Sequence, residues 1–323
     1  MNQPTIFTLK ALRSIYAKAF RVPVLTRPVC EQKPDKVSQM IYDRLVDDRP
    51  CMVARFGAFE LNATVNFLGV KNGEHDSGKY IQGKSLDWWW NKKLLEHMES
   101  NAGFFPPTEE KITQFCELLL EDMKEVDILG SWLAEEKYFN AEGNRWESVN
   151  LELLNPFFTS NPWTKALKDK TVLVVHPFNK LIEYQYQTNR EHIFENKEVL
   201  PKFSLMTIQA VQSIGGYGGR FGSWFQALDW MKDEIDQRDY DIALVGCGAY
   251  GFPLAAHVKR QGKKAVHLGG ALQLLFGIRG KRWEDANYND QYNYAQFMNE
   301  YWVKPGDDLK PHNACAVEGG CYW

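Results

Sequence analysis

The 323-residue chain contains no apolar run approaching the roughly 18 residues that a membrane span requires. Its six cysteines, Cys30, Cys51, Cys116, Cys247, Cys315 and Cys321, form no C-x-x-C and have no paired histidine spacing, which argues against a zinc ribbon or a dithiol redox centre. Cys51 and Cys247 lie in or beside apolar runs, so buried reduced thiols and a cytoplasmic protein are expected. Charge of one sign is also missing. The 38 Lys and Arg nearly cancel the 41 Asp and Glu, leaving a formal charge of −3, so no nucleic-acid partner is expected. Gly78-x-x-x-x-Gly83-Lys84-Ser85 has the spacing of a Walker loop, but no apolar run that reads as a strand leads into it, so a P-loop is not expected. There is no G-x-S-x-G, the mark of a serine hydrolase elbow, and no internal repeat or low-complexity tract.

What is present centres on residues 241–270. Asp241 to Val245 reads as a buried strand and runs directly into Gly246-Cys247-Gly248-Ala249-Tyr250-Gly251. A helical stretch opened by Pro253 follows, then a strand over Lys264 to Leu268 that ends on Gly269-Gly270. Strand, G-x-G-x-x-G, helix, strand is the setting in which backbone approaches a phosphate at a positive helix end. A tight βα turn with no ligand is the plainer alternative. A nicotinamide site needs an acidic residue at the tip of the second strand, and His267-Leu268-Gly269-Gly270 offers none, so neither nicotinamide nor flavin is expected.

Further strands are expected at 51–54, 126–129, 171–175 and 203–208, each followed by helical spacing or a glycine turn. Strands alternating with helices predict an α/β, Rossmann-like protein, with a mainly parallel sheet covered on both faces. Three regions are expected: an N-terminal helix and linker over 1–36, an α/β nucleotide-sugar-binding domain over 37–285 with any seam inside 133–170, and an aromatic tail over 286–323 packing on it. Residues 5–21 read as a basic amphipathic helix, resting either on the protein or, peripherally, on an anionic membrane face.

Arg55 follows the strand at 51–54, and Glu60 falls in the first turn of the helix after it, at the edge where open α/β sheets bind ligands. His176 and His267 end strands at the same edge and are candidate bases, against the commoner role of hydrogen-bonded structural histidines. Arg279, Lys281 and Arg282 form the densest basic spot near a glycine turn, suited to a diphosphate or else to a solvated surface. Aromatics make up 14% of the chain, and Trp88-Trp89-Trp90 opens an expected helix to about Met98. Neighbours on a helix lie about 100° apart, so these rings cannot all share one face. Trp88 and Trp89 are candidate acceptor-sugar platforms, with Arg220 in the glycine-rich 215–222 loop a further acceptor contact. Glu318 is a candidate to fold back over the cleft.

Arg55-Phe56-Gly57-x-x-Glu60 after a strand, together with the late Gly246–Gly270 unit, resembles the bacterial GT-D-fold glycosyltransferases of surface-polysaccharide and glycoprotein synthesis. The resemblance covers roughly 50–285. It implies a sugar transferase with a nucleotide-sugar donor, a UDP-sugar being favoured, and an oligosaccharide or lipid-linked glycan acceptor. It places Arg55, Phe56, Gly57, Gly246, Gly248 and Gly251 around the donor, and Tyr250, Gly269 and Gly270 in the same glycine unit are further donor-binding candidates. Metal-dependent members carry Asp-x-Glu, which holds a divalent ion, Mn²⁺ or Mg²⁺. Here Glu60 matches the Glu and Ala58 stands at the Asp, which implies a weakened metal site or a metal-independent enzyme. The alternatives are a nucleotide-sugar or NAD(P)-dependent oxidoreductase or epimerase, and a non-catalytic subunit of a polysaccharide assembly complex, which Ala58 favours.

Overall fold

The computed structural model describes residues 1–73, 75–139, 146–214, 219–306, 309–310 and 322–323. Its centre is one sheet of seven strands. These are β1 (Cys51–Ala54), β2 (Ile128–Ser131), β3 (Glu147–Asn150), β4 (Thr171–His176), β5 (Ser204–Gln209), β6 (Ile242–Val245) and β7 (Lys264–His267). The order is β3-β2-β1-β7-β6-β4-β5, and every pairing is parallel. The expected fold class is therefore the observed one.

Eleven α-helices among the described residues surround the sheet: α1 (Gln3–Ala19), α2 (Pro34–Val46), α3 (Ala58–Asn72), α4 (Ser77–Ile81), α5 (Lys92–Ser100), α6 (Glu109–Asp122), α7 (Asn179–Ile193), α8 (Trp224–Asp236), α9 (Gly251–Arg260), α10 (Leu272–Leu275) and α11 (Lys281–Glu284). Period-2 alternation divides each strand between two cores. Met52, Ala54, Leu173, Val175, Ala243 and Val245 pack with α3, α6, α8 and α9 on one face. Val53, Val172, Val174, Leu244 and Val266 pack with α2, α7 and α10 on the other. Both faces are dry, which is why these strands read as continuous apolar runs.

Strand β3 is the element that the sequence pattern misses. Its four residues, Glu-Ser-Val-Asn, bury only Val149 fully, and its outer side carries a single parallel bridge to Glu31. It pairs in parallel with β2, so the sheet runs unbroken into the irregular 133–170 stretch. Helix α5 starts at Lys92 rather than at Trp88. The buried Asn66 amide donates to the carbonyls of Asp87 (3.2 Å) and Trp89 (2.9 Å) and accepts the Asn91 N–H (2.9 Å), which holds 87–91 in a non-helical path. The 71–87 stretch also contains the short helix α4, capped by the Asp76 carboxylate on the Gly78 and Lys79 amides. Cys51, Cys116 and Cys247 are buried free thiols, as the spacing predicts for Cys51 and Cys247.

The chain leaves β4 outward, through α7, to β5. It leaves β6 inward, through α9 on the opposite face, to β7. Diverging connections open a crevice beyond the carboxyl ends of the strands between them. That crevice is where the candidate residues gather.

Candidate functional site

A cleft over the carboxyl ends of β1, β4, β6 and β7 is lined by Arg55, Phe56, Gly57, Ala58, Glu60, His176, Gly246 to Tyr250, His267, Gly269, Gly270 and Arg282. Residues scattered from 55 to 282 in the sequence thus meet in one place. Trp132, Gln273, Tyr322 and Trp323 complete the wall.

Arg55 leaves the end of the central strand β1 half-buried. Its guanidinium lies 5.0 Å from the centre of the Trp132 ring, a cation–π seat. Among the described residues no carboxylate lies within ion-pair distance of it. Burial lowers its pKa, and Tyr322 and Glu60 oppose that shift, so the charge is kept with its donors unspent. Glu60, in the first turn of α3, curls its carboxylate back over Gly57, where a Cβ would stand 2.0 Å from Oε2. Only a glycine leaves room for that fold-back. Burial raises the Glu60 pKa, offset by its own backbone N–H and by Arg55. A carboxyl raised by burial and facing a cleft is suited to accepting a proton from a bound hydroxyl.

The two histidines are both 3% exposed and both neutral, their pKa values pushed down to about 3 by burial, with Arg55 adding to the effect on His267. Their tautomers follow from their partners. His176 Nδ1 accepts the Phe178 N–H at 3.0 Å, so its proton sits on Nε2. His267 Nδ1 lies 3.2 Å from the Val245 carbonyl and donates to it, leaving Nε2 as an acceptor. The pair therefore offers one N–H and one lone pair in the cleft wall.

The glycine turn is shaped by packing. A Cβ on Gly246 would meet the Gly269 carbonyl oxygen at 2.5 Å, and one on Gly251 would meet His267 Cε1 at 2.1 Å. Gly248 has φ +57°, a conformation that other residues rarely adopt. Helix α9 starts immediately after this turn, so its positive end abuts the cleft. Tyr250 is buried against Trp224, with its hydroxyl on Ser213 at 2.8 Å, and it lines the cleft from below. Phe56 is also buried, stacked on Phe252, and its carbonyl accepts the Trp132 indole N–H at 3.0 Å.

The basic cluster divides. Arg282 lines the cleft, 5.0 Å from the Tyr322 ring. Arg279 instead pairs with Glu284 at 3.6 Å, and Lys281 is exposed on α11; neither lines the cleft. Trp88 and Trp89 also lie elsewhere. They pack edge-on around Tyr80 and form the seat of α1, in a small core with Ile6 and Leu9. Arg220 stacks over Trp230 at 4.7 Å, outside the cleft. Gly215 to Gly218 and Glu318 lie outside the described residues.

Sequence reasoning missed the support beneath Arg55. Glu136, buried in the turn after β2, accepts the Trp132 N–H at 2.8 Å and the Leu133 N–H at 2.9 Å, and it takes the Ser131 hydroxyl in a short bond. This fixes the Trp132 ring under the guanidinium. The available signal was the strand-end Ser131-Trp132 followed by a carboxylate five residues after Ser131. Removing that carboxylate in Glu136→Ala leaves one buried and two partly buried donors without their acceptor. Urea titration should show a loss of about 2–3 kcal/mol, with a red-shifted tryptophan emission.

The donor set for a metal is poor. Among the described residues no second carboxylate lines the cleft beside Glu60, Ala58 presents a methyl group, and no cluster of three His, Cys, Asp or Glu could hold an ion. The described residues do not fit a divalent site.

Fold and cleft together define a parallel α/β protein with a ligand crevice at the carboxyl edge of its sheet. No protein-family model matches the sequence, and no curated protein is similar to it. Two solved structures resemble the chain at low level. One, described as a selenomethionine-substituted structure of domain of unknown function 1792, is 12% identical with a TM-score of 0.36, covering 93% of this chain and 99% of that one. The other, described as showing that this highly conserved domain has a distinct glycosyltransferase fold, is 11% identical with a TM-score of 0.33, covering 92% and 100%.

Proposed function

We propose that the protein is a glycosyltransferase that moves a sugar from a nucleoside-diphosphate donor to a glycan hydroxyl. The observation that carries this reading is Arg55: a guanidinium with no carboxylate at ion-pair distance among the described residues, lining one cleft with Glu60 and the glycine turn that leads into α9. The resemblance of Arg55-Phe56-Gly57-x-x-Glu60 to the GT-D motif supports it. In the reaction Glu60 takes the proton of the acceptor hydroxyl, whose oxygen attacks the anomeric carbon. The bond to the diphosphate breaks, and its electron pair leaves on the phosphate oxygen. Arg55, Arg282 and the α9 N-terminus offset that developing charge. Neutral His176 and His267 supply a donor and an acceptor to sugar or ribose hydroxyls without adding charge. A UDP-sugar donor and an oligosaccharide or lipid-linked acceptor remain part of the proposal.

A thermal-shift screen of UDP, GDP, CMP and dTDP tests it. A bound diphosphate at 100 times its Kd stabilises the fold by about 2.7 kcal/mol. The shift should vanish in Arg55→Met and be the same with and without Mn²⁺, given the lone Glu60. No shift with any nucleotide would remove the donor assignment and favour a non-catalytic subunit.

A further inference from the structure

Residues 1–30 contain Lys10, Arg13, Lys18, Arg21 and Arg27 and no Asp or Glu, although the whole chain is slightly acidic. Helix α1 docks on the protein through one side only. Ile6 and Leu9 enter the small core with Tyr80 and Trp89, Lys10 reaches Asp87 at 3.4 Å, and Arg13 bonds the Ser85 carbonyl at 3.0 Å. The other side and the segment after it carry large apolar groups in solvent: Phe7 is 76% exposed, Ile15 64%, Phe20 68%, Val24 85% and Val29 98%. Lys18, Arg21 and Arg27 are exposed among them and form no ion pair among the described residues. The segment is held against the body by Lys137, which donates to Thr26 Oγ1 at 2.7 Å.

Exposed apolar side chains normally occur singly. A row of them on one side of a docked helix, flanked by cations and free of anions, fits a surface that is apolar below and negative above. A second copy of this chain would bring like charge against like charge. We infer that residues 1–29 lie on an anionic lipid bilayer, with Phe7, Ile15, Phe20 and Val24 entering the acyl boundary and Lys18, Arg21 and Arg27 meeting lipid phosphates. The contact needs no sugar donor and stands independently of the transferase reading.

Co-sedimentation of the full chain with vesicles tests this. Three cations at the surface give about a hundredfold preference for phosphatidylglycerol–phosphatidylcholine over phosphatidylcholine alone, reduced in high salt. Phe7→Ser with Ile15→Ser should abolish binding, and Lys18→Gln with Arg21→Gln, which leave Arg27, should cut the lipid preference to about fivefold. All four side chains are exposed, so the unfolding midpoint should stay unchanged in both variants. Equal binding to both vesicle types, or none, overturns the inference. So does a concentration-dependent dimer in sedimentation velocity that the Phe7 and Ile15 substitutions disperse.

Discussion

Glu60→Gln should lower sugar transfer by about 10²–10⁴-fold while leaving the protein folded. The substitution keeps the size and the fold-back over Gly57 but removes the proton acceptor. Because burial already disfavours the Glu60 carboxylate, the neutral amide should unfold no earlier than the wild type in urea. Donor binding, read by the nucleotide-induced thermal shift, should survive, since Arg55 and Arg282 are untouched. The pH profile offers a second check. Turnover should rise with pH through a midpoint above the ordinary carboxylate range, in the direction that burial moves this group. Undiminished turnover in Glu60→Gln would end its assignment as base.

Acidification from pH 7 to pH 5 should destabilise the fold through His176 and His267. Each is neutral when folded, with a pKa near 3, and takes a proton at about 6.5 when unfolded. Stability contributed by such a group is present above the unfolded value and is lost as pH falls toward the folded one. At pH 5 the loss is about 2 kcal/mol for each histidine. Asp122 acts in the opposite sense, since burial pushes it up to about 7 and the fold then holds a proton that the open chain does not. The informative quantity is therefore a difference. Urea titrations at both pH values should show about 2 kcal/mol less acid destabilisation in His176→Gln than in the wild type. An equal pH dependence in the two proteins would mean that the imidazole is already protonated in the fold.

The sheet was legible because a doubly covered parallel strand must be apolar along its whole length, as in Thr171–His176 and Ile242–Val245. β3 escaped because Glu-Ser-Val-Asn holds a single apolar residue and leaves no run to read, whereas the other edge strand, β5, keeps Leu205, Met206 and Ile208. Arg55, Glu60 and the Gly246 turn were placed correctly at one edge, because each follows a strand directly. The tryptophan triplet misled because a buried asparagine, Asn66, sets the backbone there, and no local pattern announces a side chain that arrives from a neighbouring helix. The division of Arg279, Lys281 and Arg282 was equally invisible. In a four-residue helix, adjacent side chains diverge, and only the packing of Tyr322 and Glu284 decides which faces the cleft.

The close approaches at Gly246 and Gly251 bear on how this motif is to be probed. Both are contacts of the protein with itself: β6 against the backbone after β7, and the start of α9 against the His267 ring. An alanine scan of the turn would report misfolded protein whether or not a diphosphate ever binds there, and loss of activity in such variants would carry no information about the ligand. For the same reason, a related sequence that keeps these glycines while losing Arg55 and Glu60 would be inheriting a scaffold, not a chemistry.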